Sequence, residues 1–367
     1  MRRIWLLALV VALAFTLSSW GKKKKEEETQ VLQLPKDPPN ALTVETRKLV
    51  FHVTPLSGHG LLSQQTRDAI KWLLHSANGA TVVKLRAFVA GSGDLRRVRE
   101  LVSETFTDHH LPLPVLSVVQ VGALPLEASQ IVMESTAAAR KPVNDYGLVY
   151  ISGQGAYGKS PFDPVLPLAQ ESLQKLGTAV KAAGSEPDDV ERVTCFLSSL
   201  DQYSEVRRLV ESRYTDAALN FVQVQRAPTR SLAECEAVAR LRWNTGTAVH
   251  MLNPEGLGSP AQLSQIALVG APRVILTGSQ EAFGFQDADA RLAFERLQKS
   301  LSQEGGSLRE AAFTSMYPLS SSISEQVRKI RGEFYDRARP PAGTMLPFQG
   351  LPSMDAGFAV DVIAVKE

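Results

Sequence analysis

The chain has 367 residues, 44% hydrophobic and 21% charged, with 40 Lys and Arg against 38 Asp and Glu and a net charge of +2. That length exceeds one ordinary domain and predicts two or three. The near-neutral balance, with no dominant basic stripe, excludes a dedicated nucleic-acid binder, and the globular composition excludes a fibrous or disordered chain.

Met1–Arg3 followed by apolar Ile4–Leu17 has the charged and apolar regions of a secretory signal. The apolar run is short for a membrane span, although Ser18–Gly21 lengthens it. The positive run Lys22–Lys25 then resists translocation. Residues 1–21 are therefore expected to be a signal peptide or, uncleaved, an N-terminal anchor and the chain's one membrane attachment. The expected location is periplasmic or extracellular. Residues 22–42 read as a linker, with charge blocks Lys22–Lys25 and Glu26–Glu28 and the breaker Asp37–Asn40.

The first globular unit, 43–137, opens with strand Lys48–Val53. A helix follows with Ala69, Leu73 and Ala77 on one face, stopped at Asn78–Gly79. Val82–Val89 is a strand. Asp94 caps a helix whose apolar face is Leu95, Val98, Val102 and Phe106. Ser117–Val121 and Gln130–Glu134 are closing strands.

The second unit, 138–243, repeats this order. Strand Leu148–Gln154 leads to a helix near Leu168–Ala183, then strand Val193–Leu197 and a helix near Gln202–Tyr214 capped by Asp201. Phe221–Gln225 and Glu234–Leu241 close it. Residues 244–265, with Asn253–Gly256 and Gly258–Pro260, read as a second linker.

The third unit, 266–367, has strand Val274–Gln280, a helix through Ala290, Phe294, Leu297 and Leu301, and strand Ala311–Tyr317. A helix presenting Ile323, Val327, Ile330 and Phe334 precedes strands Thr344–Phe348 and Phe358–Val365. Register ties the units together. Phe88/Val98, Phe196/Val206 and Tyr317/Val327 are each ten residues apart, with 108 residues from Phe88 to Phe196 and 121 from Phe196 to Tyr317. So long a period means tandem domains rather than a solenoid. Each reads β-β-α-β-α-β-β, an α+β unit with both helices on one face of a sheet. The bare faces are expected to pack together, sheets inside and helices outside, as an intrachain pseudo-trimer.

Cys195 and Cys235 fall in strands of the second unit. Two buried free thiols are the expectation, with a disulfide the alternative if the strands are neighbours in an oxidising compartment. No spacing suits a metal: His109 and His110 read as loop polarity, and no cofactor is expected. Gly153–Gly155 lacks the features of a phosphate loop. Arg96, Arg97 and Arg99 read as a solvated helix face.

Leu148–Gln154 (LVYISGQ), the helix ending Val180–Gly184 and Val193–Asp201 (VTCFLSSLD) resemble the Rid family of enamine/imine deaminases, also called endoribonuclease L-PSP. The likeness also covers Val83–Glu134, weakens over Val274–Lys366 and is faint at Lys48–Ser63. It implies the Rid-like, chorismate-mutase-like fold. It also implies homotrimers of one such unit with ligand pockets between subunits, here fused into one monomeric chain. The family's arginine, which grips a substrate carboxylate, maps to Leu116, Leu219 and Gly343, so all three copies lack it. Its final-strand glutamate maps to Val132, Glu234 and Ala359.

The Ser-Gly-Gln turn survives as Ser152, Gly153 and Gln154, with a variant at Thr277, Gly278 and Ser279. These six residues and Glu234 are the expected ligand-binding set at inter-domain clefts, for a small molecule and not a nucleic acid. The expectation is a degenerate binding protein. The alternatives are a deaminase or related hydrolase with a relocated cation, for which Arg226, Arg230 and Arg339 are candidates, and a purely structural module.

Overall fold

The computed structural model describes residues 35–366 apart from 92 and 259–261. The signal or anchor segment and the charge blocks of the first linker lie outside the described residues. The first domain comprises β1 (Ala41–Glu45), β2 (Leu49–Val53), α1 (Leu62–Ser76), β3 (Thr81–Ala90), α2 (Leu95–Asp108), β4 (Val115–Val121) and β5 (Ile131–Ala138). The second has β6 (Leu148–Tyr157), α3 (Val165–Ala182), β7 (Val190–Leu197), α4 (Tyr203–Glu211), β8 (Ala218–Gln223) and β9 (Leu232–Arg240). A hairpin, β10 (Val249–Leu252) and β11 (Ile266–Val269), precedes the third. That domain contains β12 (Arg273–Thr277), β13 (Gln280–Phe283), α5 (Asp287–Gln303), β14 (Ala311–Pro318), α6 (Ser321–Arg331), β15 (Ala342–Met345) and β16 (Ala356–Lys366).

Local chemistry repeats with the topology. The first helix of each domain is followed by a glycine in the left-handed region, Gly79, Gly184 and Gly305 at φ of 83°, 74° and 76°, where a side chain would be strained. Asp94 caps α2 by accepting from the Arg96 N–H. Asp201 does not do the same for α4: the N-cap is Gln202, one residue on. The three sheets share one order, β2-β5-β3-β4, β6-β9-β7-β8 and β12-β16-β14-β15, so the last strand of each domain lies inside its sheet. Each central pair slips register at the same place, between Val82 and Lys84, Val190 and Arg192, and Ala311 and Phe313. Such bulges re-aim the side chains beyond them.

Alternation then divides the strands. Leu85, Ala87 and Val89 pack against α1 and α2, and corresponding clusters fill the second and third domains. The opposite faces meet in two shared clusters. One joins Leu49 and Phe51 to Tyr150 and Val238 and to Phe313 and Val365; the other joins Phe88, Phe196 and Tyr317 around Phe348. Phe88 and Phe196 are in contact at 6.1 Å between centroids, and Tyr317 joins them through Phe348, at 5.2 Å.

Edge strands cross the divisions drawn from sequence. β1 pairs with β12 of the third sheet, not with its own domain, and β11 pairs with β6 of the second. Residues 139–144 likewise donate from the N–H groups of Ala139, Val143 and Asn144 to the Lys48 and Arg47 carbonyls. The segment ahead of each domain therefore docks on another domain's open edge, which would otherwise expose unpaired backbone groups. The free thiols expected at Cys195 and Cys235 are also corrected. The two residues stand directly opposite on β7 and β9 and form a disulfide.

Candidate functional site: three inter-domain clefts

Strand register fixes what corresponds to what. Leu116, Leu219 and Gly343 lie opposite Leu85, Val193 and Thr314, the same place in each sheet. Val132, Glu234 and Ala359 lie opposite the aromatics Phe88, Phe196 and Tyr317. The turn after the first strand of one domain faces the Leu116, Leu219 or Gly343 position of another, and three clefts result.

Between the second and third domains Ser152 and Gly153 are spent on the interface. The Ser152 hydroxyl donates to the Ser264 carbonyl at 2.6 Å and accepts from the Gly343 N–H at 2.8 Å. The Gly153 N–H donates to Thr344 Oγ1 at 3.1 Å. Gln154 donates to the Ser152 carbonyl and to Gln265 Oε1. Glu234 is buried against Gly153, where a methyl group would strike its carboxylate, and accepts from the Tyr157 hydroxyl at 2.6 Å. Burial pushes Glu234 up to about 7, against the Tyr157 hydrogen bond. Arg230, one of the candidate relocated cations, stacks on the Tyr157 ring at 4.1 Å. Arg226 donates instead to the Gly122 carbonyl, and Arg339 pairs with Asp336.

Between the third and first domains a cavity of about 340 Å³ remains open. Thr277 is buried and exchanges hydrogen bonds with the Val362 backbone, and a methyl at Gly278 would meet the Leu116 carbonyl. Ser279 donates its N–H to that carbonyl and lines the cavity. Leu116 and Val118 also line it, with Arg96 and Arg99 from α2 and Arg296 from α5. Arg296 lies over the Phe283 ring and donates to the Glu281 carbonyl. Burial raises the Glu281 carboxyl, opposed by Ser353 and Arg99. Arg96 and Arg99 are exposed, as a solvated helix face should be, and also line this cavity, which their own helix alone does not show.

Between the first and second domains lies a cavity of about 600 Å³, lined by Val53–Leu56, Trp72, Leu126, Tyr203, Arg207 and Leu219–Phe221 among others. Neither open cavity is lined by Ser152, Gly153, Gln154 or Glu234.

A buried ionic cluster joins all three sheets at the centre. Glu134, Glu236 and Asp361 hold equivalent positions opposite Arg86, Thr194 and Ser315. Arg86 bridges Glu134 and Glu236, each at 2.6 Å, and Lys84 pairs with Asp361 at 2.6 Å. Glu134 also accepts from Thr194 and Asn220 of the second domain and has Arg192 at 3.4 Å. Burial alone would raise Glu134; Arg86, Arg192 and these hydrogen bonds outweigh it and hold the carboxyl at about 2. Among the described residues no group of three His, Cys, Asp or Glu is placed to hold a metal.

Residues 139–241 match the family described as endoribonuclease L-PSP. No curated protein matches the chain. Among solved structures it is similar to a protein of unknown function of the conserved Rid family from Yersinia pestis, at 18% identity over 33% of this chain and 100% of that one, TM-score 0.31. The YjgF gene product of E. coli is 30% identical over 26% of this chain and 81% of its own, TM-score 0.23. A member of the YjgF family from Mycobacterium tuberculosis is 18% identical over 32% of this chain and 99% of its own, TM-score 0.24.

Proposed function

The chain belongs, through residues 139–241, to the endoribonuclease L-PSP family, and we propose that its three domains stand in for three subunits and bind small molecules at the two clefts flanking the first domain. Imino-acid hydrolysis by the family's arginine is not part of this reading. The observation that carries it is the leucine at the arginine position of both open clefts, Leu116 and Leu219. An alkyl side chain offers a carboxylate no hydrogen bond. In the third cleft, which keeps Ser152, Gly153, Gln154 and Glu234, Ser152 and Gly153 are bonded to the third domain and serve to hold two domains together. Export is supported by the Cys195–Cys235 disulfide, a bond that persists in oxidising compartments.

One observation favours a second reading. The cleft between the third and first domains has Ser279 and Gln280 on one wall and three arginines supplied by helices, so a relocated cation could serve a deaminase there. Ammonia release by the full chain, with 2-iminobutyrate generated in situ and an arginine-bearing Rid protein as control, separates the two. Release at the uncatalysed rate is expected. Turnover that Arg296→Met abolishes would establish the enzyme instead.

A further inference from the structure

We propose that the cleft between the first and second domains is selective for an uncharged aromatic or aliphatic small molecule, in contrast to the arginine-lined cleft on the other side of the first domain. This rests on the reading that the clefts bind ligands, and adds the class of ligand. The apolar part of the lining is Trp72 from α1, Tyr203 from α4, Leu219 and Phe221 from β8, and Leu56 and Leu126 from loops of the first domain, beside a comparable polar part made by Thr54, Arg207, Glu211, Thr215 and Asn220. Trp72 is 37% exposed and Leu126 44%, so an apolar surface stands open to solvent here. At about 600 Å³ the space is of the size that holds a drug-sized molecule.

Much of its polar lining has partners within the protein. Arg207 pairs with Glu211 at 2.7 Å and donates to the Tyr203 hydroxyl. Asn220 donates to Glu134, and the Thr54 hydroxyl accepts from the Met133 N–H. The charged pair is therefore self-neutralised, and a ligand's charge would lose its water without a partner. Leu219, in place of the family's arginine, lies among these walls. Apolar contact with ring stacking is the interaction left for an occupant. The neighbouring cleft differs in charge balance, with Arg96, Arg99 and Arg296 against Glu281 around a smaller space, although Arg96 pairs with Asp94 and Arg99 with Asp37.

The test titrates the folded full-length chain with two fluorescent probes of one shape: neutral N-phenylnaphthylamine and its sulfonated analogue anilinonaphthalenesulfonate. The neutral probe should bind saturably. Leu219→Arg should weaken it by about tenfold or more, because an unpaired charge then replaces part of the apolar lining. Trp72→Ala, at a half-exposed position that leaves the core intact, should weaken it about fivefold. Phe283→Ala, in the other cleft, should leave it unchanged. The proposal is overturned if the neutral probe ignores both cleft variants, or responds equally to Phe283→Ala. If only the sulfonated probe binds, and Phe283→Ala weakens it, ligand binding stands and this selectivity falls. If neither probe binds, both readings fall. Concentration-dependent dimerisation that Trp72→Ala abolishes would make the occupant a second copy of the chain and also overturn the proposal.

Discussion

Replacing Glu134 by Gln tests whether the buried ionic cluster holds the domains together. The wild-type carboxylate is fully buried and receives Arg86 Nε at 2.8 Å, Thr194 Oγ1 at 2.6 Å and Asn220 Nδ2 at 2.7 Å, with Arg192 at 3.4 Å. Glutamine keeps one acceptor and turns an N–H₂ toward groups that are themselves donors. Removing one partner of a buried ion pair costs about 3–5 kcal/mol, a large part of the roughly 5–15 kcal/mol that holds a protein folded. Acid titration gives an independent check. The folded carboxyl sits at about 2 against an ordinary 4.5, so its stabilisation is complete above 4.5 and is lost as pH falls toward 2. The shift corresponds to about 3 kcal/mol. Urea unfolding followed by circular dichroism should show Glu134→Gln with a lowered midpoint at pH 7. Because Thr194, Asn220 and Glu236 belong to the second domain, the first two domains should lose stability in one transition. The gap from wild type should narrow between pH 4.5 and 2. A loss under about 1 kcal/mol at pH 7, or a gap that ignores acid, would refute the cluster's role.

Glu234 has the opposite sign. Burial raises its folded carboxyl from 4.5 to about 7, so the folded state retains the proton and stability declines as pH rises through that window. Glu234→Gln should match wild type in melting temperature at pH 4 and exceed it at pH 8 by about 3 kcal/mol. Substituting Cys195 and Cys235 together by Ala should lower stability by about 4 kcal/mol for a closed loop of 40 residues, with wild type in reductant falling by the same amount. Gly153→Ala should cost about 1–3 kcal/mol by denaturant midpoint, because the added methyl meets the Glu234 carboxylate. Glu234→Ala on the same chain should recover part of that loss, a non-additivity expected only of groups in contact.

The repeat was legible because its signals are local. Period-2 strands, helix faces such as Leu95, Val98 and Val102, and the stop glycines need no knowledge of distant chain. The aromatics at Phe88, Phe196 and Tyr317 kept the alignment in step, and the correspondence of Leu116, Leu219 and Gly343 followed from it. Pairings between distant segments were not legible. Nothing in Ala41–Glu45 indicates that it pairs with Arg273–Thr277, because an edge strand carries the same alternation whichever sheet it joins. That the exposed Arg96 and Arg99 also line a cavity was not legible, because the opposing wall, with Phe283 and Arg296, lies far along the chain. Free thiols were the wrong expectation for Cys195 and Cys235 because nothing local to either shows that β7 and β9 are neighbours in register.

The same distinction bears on why three domains share one chain. In a homotrimer, one substitution alters every cleft at once, so a residue that closes a cleft closes all three. Three domains standing in for three subunits, as proposed, would remove that constraint. Here Ser152 bonds across one cleft, arginines from two helices line another, and Trp72 and Leu219 line the third. The inner faces had no such freedom, since each meets the other two. Their acids stay at one register position, Glu134, Glu236 and Asp361, while the matching cations are uneven, with Lys84 and Arg86 from the first domain and Arg192 from the second. An uneven set of charges around a shared centre gives each sheet a different set of partners. Domains so alike in outline could otherwise dock in more than one order, and specifying a single arrangement is the best-attested use of buried polar contacts. Moving Arg192 to its first-domain equivalent, by Arg192→Lys with Lys84→Arg, should therefore leave the net charge unchanged and still weaken the assembly. The Glu134 contact would shorten to a single ammonium, and a guanidinium would crowd Asp361.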